Sequence, residues 1–461
     1  MILRDRLESD SLSRDLARRF RSAGHELFLV GGPVRDALLG IDHGDSDFAT
    51  SALPDETYAL LKEHPDASPY RIGEKFGTIG AMFGPRRVEI TTYRTGERYE
   101  GGSRKPSVRF GATLREDLER RDFTINAMAI DPLDGTLIDP LAGRRDLEAG
   151  IVRAVGDAKA RFEEDPLRLL RGVRFAARFE FNFEPETWTA LVTGAGSLAR
   201  ISRERIRDEY SLMLTDPHPS SAMTTLRDSG LLQASVPQLL ELTKMEDHGP
   251  RHPLSLWDHE MRVLDGVRPV LEVRWAALLH DIAKPATRTT EPSGRPRFFH
   301  HEEIGAAMAR EVLTGLRYPQ AVSDTVAMLV DVHMHLHGYS SEWSDGAVRR
   351  LCMRLGVHLD DAIALVRADA AGHSANGASY NSPKFDELEA RIVALGRPTK
   401  RLTSPLSGDD LMRRFNRPAG PWIRPIKDAL EDEVVEGRLA PDDRERAWEI
   451  AERLVGAERP P

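Results

Sequence analysis

A single cysteine, Cys352, stands among 461 residues, which excludes an internal disulfide and predicts a reducing, cytoplasmic setting. No apolar run approaches the roughly 20 residues that a membrane-spanning helix needs. The opening stretch MILRDRLESDSLSRDL mixes acids and bases and lacks the apolar core of a signal peptide. A basic excess is missing too: 64 Lys and Arg face 73 Asp and Glu, a formal charge of −9. That balance excludes a uniformly basic surface, so any nucleic-acid partner must be held by local basic patches. Internal repeats and low-complexity tracts are absent, and nothing in the sequence specifies an oligomeric state. What remains is ordinary for a globular chain, 40% hydrophobic and 30% charged, with length enough for two to four domains.

Residues 1–143 carry short strand-like runs, ELFLV (26–30), SDFAT (46–50), GTIGAMF (77–83) and RVEITTYR (87–94), separated by Gly, Pro and Asp. Beyond Arg144 the strand signal fades. LRLLRGVRFAARF (167–179), RERIRDEYSLML (203–214) and SAMTTLRDSGLL (221–232) repeat apolar residues at three- and four-residue spacing, which predicts helices. DHGPRHPLS (247–255) and GHSANGASYNSP (372–383) read as boundaries, and LSGDDLMRRF (406–415) opens a helical tail. These signals give an α+β chain in four parts. A mixed-sheet head covers 1–143, a helical neck 144–246, a histidine-rich helical domain 247–375, and a linker with a helical tail 376–461.

Within the head, Asp45 and Asp47 are two apart on a strand and therefore project to one side, with Ser46 facing away. Two converging carboxylates repel unless a divalent cation lies between them, and Mg²⁺ is the hard, oxygen-seeking candidate. The alternative is a surface Asp-rich turn. Upstream, VGGPVRD leads a strand into a helix through Gly31 and Gly32 with Pro33 near the first turn, a geometry that lets backbone N–H groups meet a phosphate. Arg35 and Asp36 read equally as a helix-stabilising ion pair. Lys75, beside a glycine turn, is a second candidate phosphate contact. Glu89 points opposite to Val88 and Ile90, as a third metal-site carboxylate or a plain solvent-facing residue. Arg121, Asp122 and Asn126 lie in RRDFTINAMAI, which is too apolar for a free loop.

These pieces together resemble the polymerase-β-like nucleotidyltransferases, and more narrowly the class II bacterial tRNA CCA-adding enzyme and poly(A) polymerase family. The matching residues are Gly31-Gly32 with Val34-Arg35-Asp36, Asp45-x-Asp47, Lys75-Phe76-Gly77-Thr78, the run Arg120–Ala129, and IDPLAGRRDL at 138–147. The resemblance implies a two-metal transfer of nucleotides to a tRNA 3′ end from CTP and ATP, with Asp45 and Asp47 catalytic. It implies that Glu164, Asp165 and Arg168 match the E-D-x-x-R motif thought to read the incoming base. Read from the residues alone, Asp165 before Pro166 is also a helix N-cap. Arg171, Arg174 and Arg178 form a basic arc, for triphosphate or RNA backbone or as a solvated face. RTGERYEGGSRKPSVRFGATLRED (94–117) has few apolar anchors and resembles the family's flexible loop. RPAGPWIRPI, with Arg424 where a small residue is common, departs from the family tail.

Fifteen histidines remain to be explained, many of them between residues 248 and 373. His259, His280-Asp281 and Asp369 follow the H…HD…D order of the HD metal-dependent phosphohydrolases, which they resemble; His301 and His333 are candidates for a second metal. Imidazole with carboxylate suits Ni²⁺, Mn²⁺ or Zn²⁺ better than Mg²⁺ alone. Two enzyme readings follow. In one, the chain is a template-independent tRNA nucleotidyltransferase with an added HD domain, or a poly(A) polymerase of the same fold, since the same motifs serve both. In the other, the HD site carries the main activity, acting on RNA ends, and the head serves as a tRNA-binding module.

Overall fold

A computed structural model of the chain describes residues 10–41, 46–71, 73–98, 107–111, 113–245, 254–373, 382–397 and 402–457. The chain divides into two compact units, Met1–Pro237 and Gln238–Pro461. The expected boundary segments 247–255 and 372–383 fall largely outside the described residues.

The first unit opens with helix Ser11–Ser22, capped by Asp10, and then builds its sheet. In chain order its strands are β1 Leu27–Val30, β2 Ser46–Thr50, β3 Ser68–Tyr70, β4 Thr78–Phe83, β5 Arg86–Thr92, β6 Arg94–Arg98, β7 Ser107–Phe110, β8 Ala129–Ile130 and β9 Leu137–Ile138. Seven of them form one mixed sheet in the order β3-β4-β5-β2-β1-β8-β9. Among the described residues of that sheet only β2 and β5 run parallel, in the register Asp47 with Glu89. The central β1, LFLV, is buried on both faces, which is why its sequence is continuous rather than alternating. In β5 the alternation is clean: Val88 and Ile90 are buried and Glu89 is half-exposed.

The segment 94–117 differs from its expected loop character. Strands β6 and β7 pair as a separate antiparallel ribbon, and helix Leu114–Glu119 starts inside the segment under a Thr113–Glu116 capping box. Residues 99–106 lie outside the described set. The helix expected over 221–232 is two helices, Pro219–Asp228 and Leu231–Ser235, because Gly230 takes a left-handed conformation (φ +77°) between them. Helix Leu167–Phe179 packs Gly172 against Phe123, where an added Cβ would sit 3.0 Å from the ring.

The second unit is helical: Leu256–Gly266, Leu271–Leu279, His301–Gly315, Gln320–His337, Asp345–Leu355 and Leu359–Gly372 enclose Trp275, Leu278, Val330 and Leu365. One short hairpin, Arg288–Thr290 with Pro296–Phe298, interrupts this helical block. Its strands are three residues long, below the reach of periodicity. Helices Gly408–Phe415, Ile423–Val435 and Arg444–Ala457 close a smaller core of Leu411, Trp422, Leu430 and Ala447. Arg424 lies exposed on the second of these and pairs with Asp428. Among the described residues no helix is long and apolar enough to cross a membrane. A mixed-sheet head followed by helices is the α+β organisation expected.

Candidate functional site

In the head the turn from β1 into helix Gly32–Leu39 passes through Gly31 at φ +72° and ψ −126°, a conformation that side chains rarely adopt. A Cβ there would lie 2.8 Å from Nη1 of Arg121, so the glycine also makes room for that guanidinium. The Gly31 N–H donates to the Met128 carbonyl; the amides left to face a phosphate begin at Gly32. Gly31→Ala is expected to cost about 1–3 kcal/mol from backbone strain alone and to displace Arg121, seen as a lower melting temperature together with weaker nucleotide binding.

Asp47 lies on β2 with its side chain half-buried, between buried Ser46 and Phe48. Its in-register neighbour Glu89 shares that face and pairs with Arg87. Asp45 lies outside the described residues. Two carboxylates on one face of adjacent strands are a hard-oxygen donor set that fits a divalent cation. Lys75 falls in the 3-10 turn Glu74–Phe76.

A largely buried polar chain runs from Arg35 to Arg174. Arg35, packed on Phe179 at 4.7 Å, binds Asp36 and the side-chain Oδ1 of Asn126. The Asn126 amide donates to Asp122 (3.1 Å), which also accepts from Arg171 (2.8 Å). Arg171 reaches Glu209 at 3.7 Å, and Arg174 donates to Glu209 at 2.8 Å. Arg35, Asp122, Asn126, Arg171 and Arg174, expected as separate nucleotide contacts, are thus linked through Glu209, which sequence reasoning missed. The solvated-face alternative fails for Arg174, which is buried. Burial would raise the Asp122 carboxyl, but Arg171, Asn126 and the Phe123 N–H outweigh it and hold it at about 2. A carboxylate held low stabilises the fold above its unfolded value and loses that contribution as pH falls through the folded one. We therefore expect denaturation midpoints to drop between about pH 4 and 2. Arg171→Ala should flatten that slope and cost about 1–3 kcal/mol at neutral pH; an unchanged slope would show that the pair does not contribute.

Asp165 precedes rather than shares helix Leu167–Phe179, so the expected helical face with Arg168 does not form. Its Oδ1 accepts from the Leu167 N–H, the capping role, and both its oxygens take a fork from Arg205 (3.2 and 2.7 Å). Arg168 donates to Glu164 (2.7 Å) and to the carbonyls of Arg161 and Arg120. Asp165 and Arg168 are therefore held separately, and Arg205 is a partner that motif spacing could not reveal.

The second unit brings all six expected ligands into one buried cluster. His259 Nε2 lies 3.2 Å from Asp369 Oδ1 and 3.4 Å from His280 Nε2, and His280 Nε2 is 3.5 Å from Asp281 Oδ2. The other oxygen of Asp281 lies 3.3 Å from His301 Nε2 and 3.9 Å from His333 Nε2. The Nδ1 atoms of His280, His301 and His333 donate to the carbonyls of Ala277, Phe298 and Val330. That tautomer leaves their Nε2 lone pairs converging. Burial pushes His259 down to about 4 and His333 to about 3, which favours neutral rings, whereas at His280 burial is outweighed by Glu260, Asp281 and Asp369, which raise it. Asp369 Oδ1, buried among these rings, accepts no hydrogen bond of good geometry. Converging lone pairs with too few protons between them fit metal ions, and Asp281 has one oxygen for each of two sites.

Further contributors are absent from any sequence motif we read. Glu260, fully buried, lies 3.0 Å from His280 Nδ1; burial raises its carboxyl to about 7. Lys284 binds Asp281, His337 contacts Asp369 at 2.7 Å, and His373 stacks on His259 at 4.1 Å. His335 lies away from the cluster, against Trp343.

The sequence matches the poly A polymerase head domain over residues 27–153, the family described as "Probable RNA and SrmB- binding site of polymerase A" over 180–242, and the HD domain over 252–393. Head and histidine cluster together define a nucleotidyltransferase with an HD domain. The CCA-adding enzyme of Geobacillus thermodenitrificans is 33% identical over 435 residues, 94% of this chain and 95% of the relative. That of Geobacillus sp. strain WCH70 is 31% identical over 436 residues, with the same coverage. The crystal structure of the Bacillus stearothermophilus CCA-adding enzyme in complex with CTP superposes with a TM-score of 0.71 at 28% identity, covering 97% of this chain and 98% of that one. The chain belongs to the class II CCA-adding enzyme family.

Proposed function

We infer that this chain adds the 3′-terminal CCA to tRNA from CTP and ATP, releasing pyrophosphate. Similarity to CCA-adding enzymes along 94% of the chain carries this reading, and the carboxylate face beside a glycine turn supplies its chemistry. Asp45 and Asp47, with Glu89, would hold Mg²⁺. When bound, the metal lowers the pKa of the attacking tRNA 3′-hydroxyl and neutralises triphosphate charge. The amides from Gly32 onward and Lys75 would bind the phosphates. Arg121 and the Asn126–Asp122–Arg171–Glu209 chain fix the walls of the nucleotide site. Asp165 and Arg168 read the base, an acceptor and a forked donor matching the Watson–Crick edges of cytosine and adenine.

To read a base, Arg168 must redirect donors from Glu164 and two carbonyls, so only a base that replaces those hydrogen bonds is accepted. A site that hydrogen-bonds its substrate rejects mismatched analogues by roughly 10⁴–10⁵. Arg168→Ala should therefore lower CTP use and raise relative UTP and GTP incorporation; unchanged discrimination would remove Arg168 from base reading.

A second activity is favoured by the six converging side chains of the second unit. His259, His280, Asp281 and Asp369 would hold one transition metal, and Asp281, His301 and His333 a second, as Ni²⁺, Mn²⁺ or Zn²⁺. The reaction is hydrolysis of a phosphate ester at an RNA end. Water bonds to phosphorus, the P–O bond to the leaving group breaks, and the water proton passes to the departing oxygen. The buried, free Cys352 accords with a cytoplasmic protein.

A further inference from the structure

We propose that the hairpin Arg288–Thr290/Pro296–Phe298, with Phe299, is a platform for single-stranded RNA beside the histidine centre, so that this centre acts on chain ends in preference to free mononucleotides. The inference rests on the hydrolytic reading above. The hairpin is bracketed in sequence by residues of that centre: it leaves from Lys284, which binds Asp281, and returns at His301, whose Nδ1 donates to the Phe298 carbonyl. Its antiparallel register pairs Arg288 with Phe298, placing both on one face. The Lys284 ammonium lies 5.7 Å from the Phe298 ring, so that face is the one turned toward Asp281. Arg288 and Arg295 are exposed. Arg297 is matched by Glu291 at 2.6 Å, which leaves an excess of two positive charges on a ribbon of a chain whose net charge is −9.

Phe299 completes the surface: 64% of it is exposed, immediately before the exposed His300 and the ligand His301. A large aromatic left in water next to unneutralised arginines matches what single strands require, a face for stacking and cations for the backbone. A helical protein or peptide partner would call for a wider apolar face than this one ring. Free mononucleotides would need no cation as far out as the turn at Arg295.

The test uses the full chain and a five-nucleotide RNA ending in 4-thiouridine, photo-crosslinked and mapped by mass spectrometry. Crosslinks to the peptide spanning 287–300 are expected, and the variant Arg288→Ser/Arg295→Ser/Phe299→Ser should lose them. The salt dependence of binding should also fall, by roughly 0.7 per phosphate contact removed. In hydrolysis, the variant's kcat/KM for a 3′-phosphorylated RNA, taken relative to p-nitrophenyl phosphate, should drop about tenfold, the loss expected for one stacked base. Crosslinks confined to residues 1–237, or a ratio that does not move, overturns the platform. Wild-type protein that crosslinks through the hairpin yet hydrolyses neither ester supports the platform and removes the hydrolytic reading instead.

Discussion

Asp47→Ala is expected to cut incorporation of CTP and ATP into tRNA by roughly 10³-fold or more, the several kcal/mol that metal-assisted phosphoryl transfer supplies. The fold should survive the change. Strand β2 is held by its neighbours: Ser46 is bonded by Arg86, which forks onto Asp10 at 2.7 Å on each oxygen, and Phe48 is buried. Circular dichroism and melting temperature should match wild type while primer extension collapses. Asp45→Ala should behave alike. Because Glu89 shares the face with Asp47, Glu89→Gln should show a smaller loss. An Asp47→Ala protein retaining a tenth of its activity would remove the carboxylate face from the mechanism.

The second large effect concerns Asp281. One oxygen faces His280 and the other faces His301, so a single substitution disturbs both halves of the cluster. Losing an outer-shell partner costs 10–100-fold in metal affinity, so removing a shared ligand should exceed roughly 100-fold. Wild-type protein should carry up to two transition-metal ions per chain by elemental analysis and gain thermal stability on metal addition, since a ligand at 100 times its Kd adds about 2.7 kcal/mol. Asp281→Ala should lose both the ions and that gain, while CTP incorporation persists. Equal metal content in the two proteins would place the ions elsewhere.

How far the sequence reveals these sites differs between the two units. Strand β2 and helix Leu167–Phe179 match their sequence expectations residue for residue, because a short β-prone run after Gly and Asp and an apolar three- and four-residue spacing carry that information locally. The six residues of the histidine cluster were readable through their likeness to the H…HD…D order of the HD family, and the structure brings them together. Arg205 and Glu209 were not readable. They lie on helix Arg203–Thr215, some 40 residues from the side chains they bind, and their importance arises only once two neck helices pack together. Glu260 and Lys284 were hidden for a related reason: each sits within one helical turn of a motif residue but acts through burial, which a sequence pattern does not encode. Asp165 before Pro166 reads as a helix-start residue, and its Oδ1 accepts from the Leu167 N–H.

The most direct test of the central claim offers the protein a tRNA that ends at its discriminator nucleotide, with CTP alone, ATP alone, and both, and sequences the products. The account predicts growth by two cytidines with CTP alone and, with both nucleotides, C, C and A followed by arrest. A lengthening ladder of adenosines with ATP alone, indifferent to CTP, would contradict it.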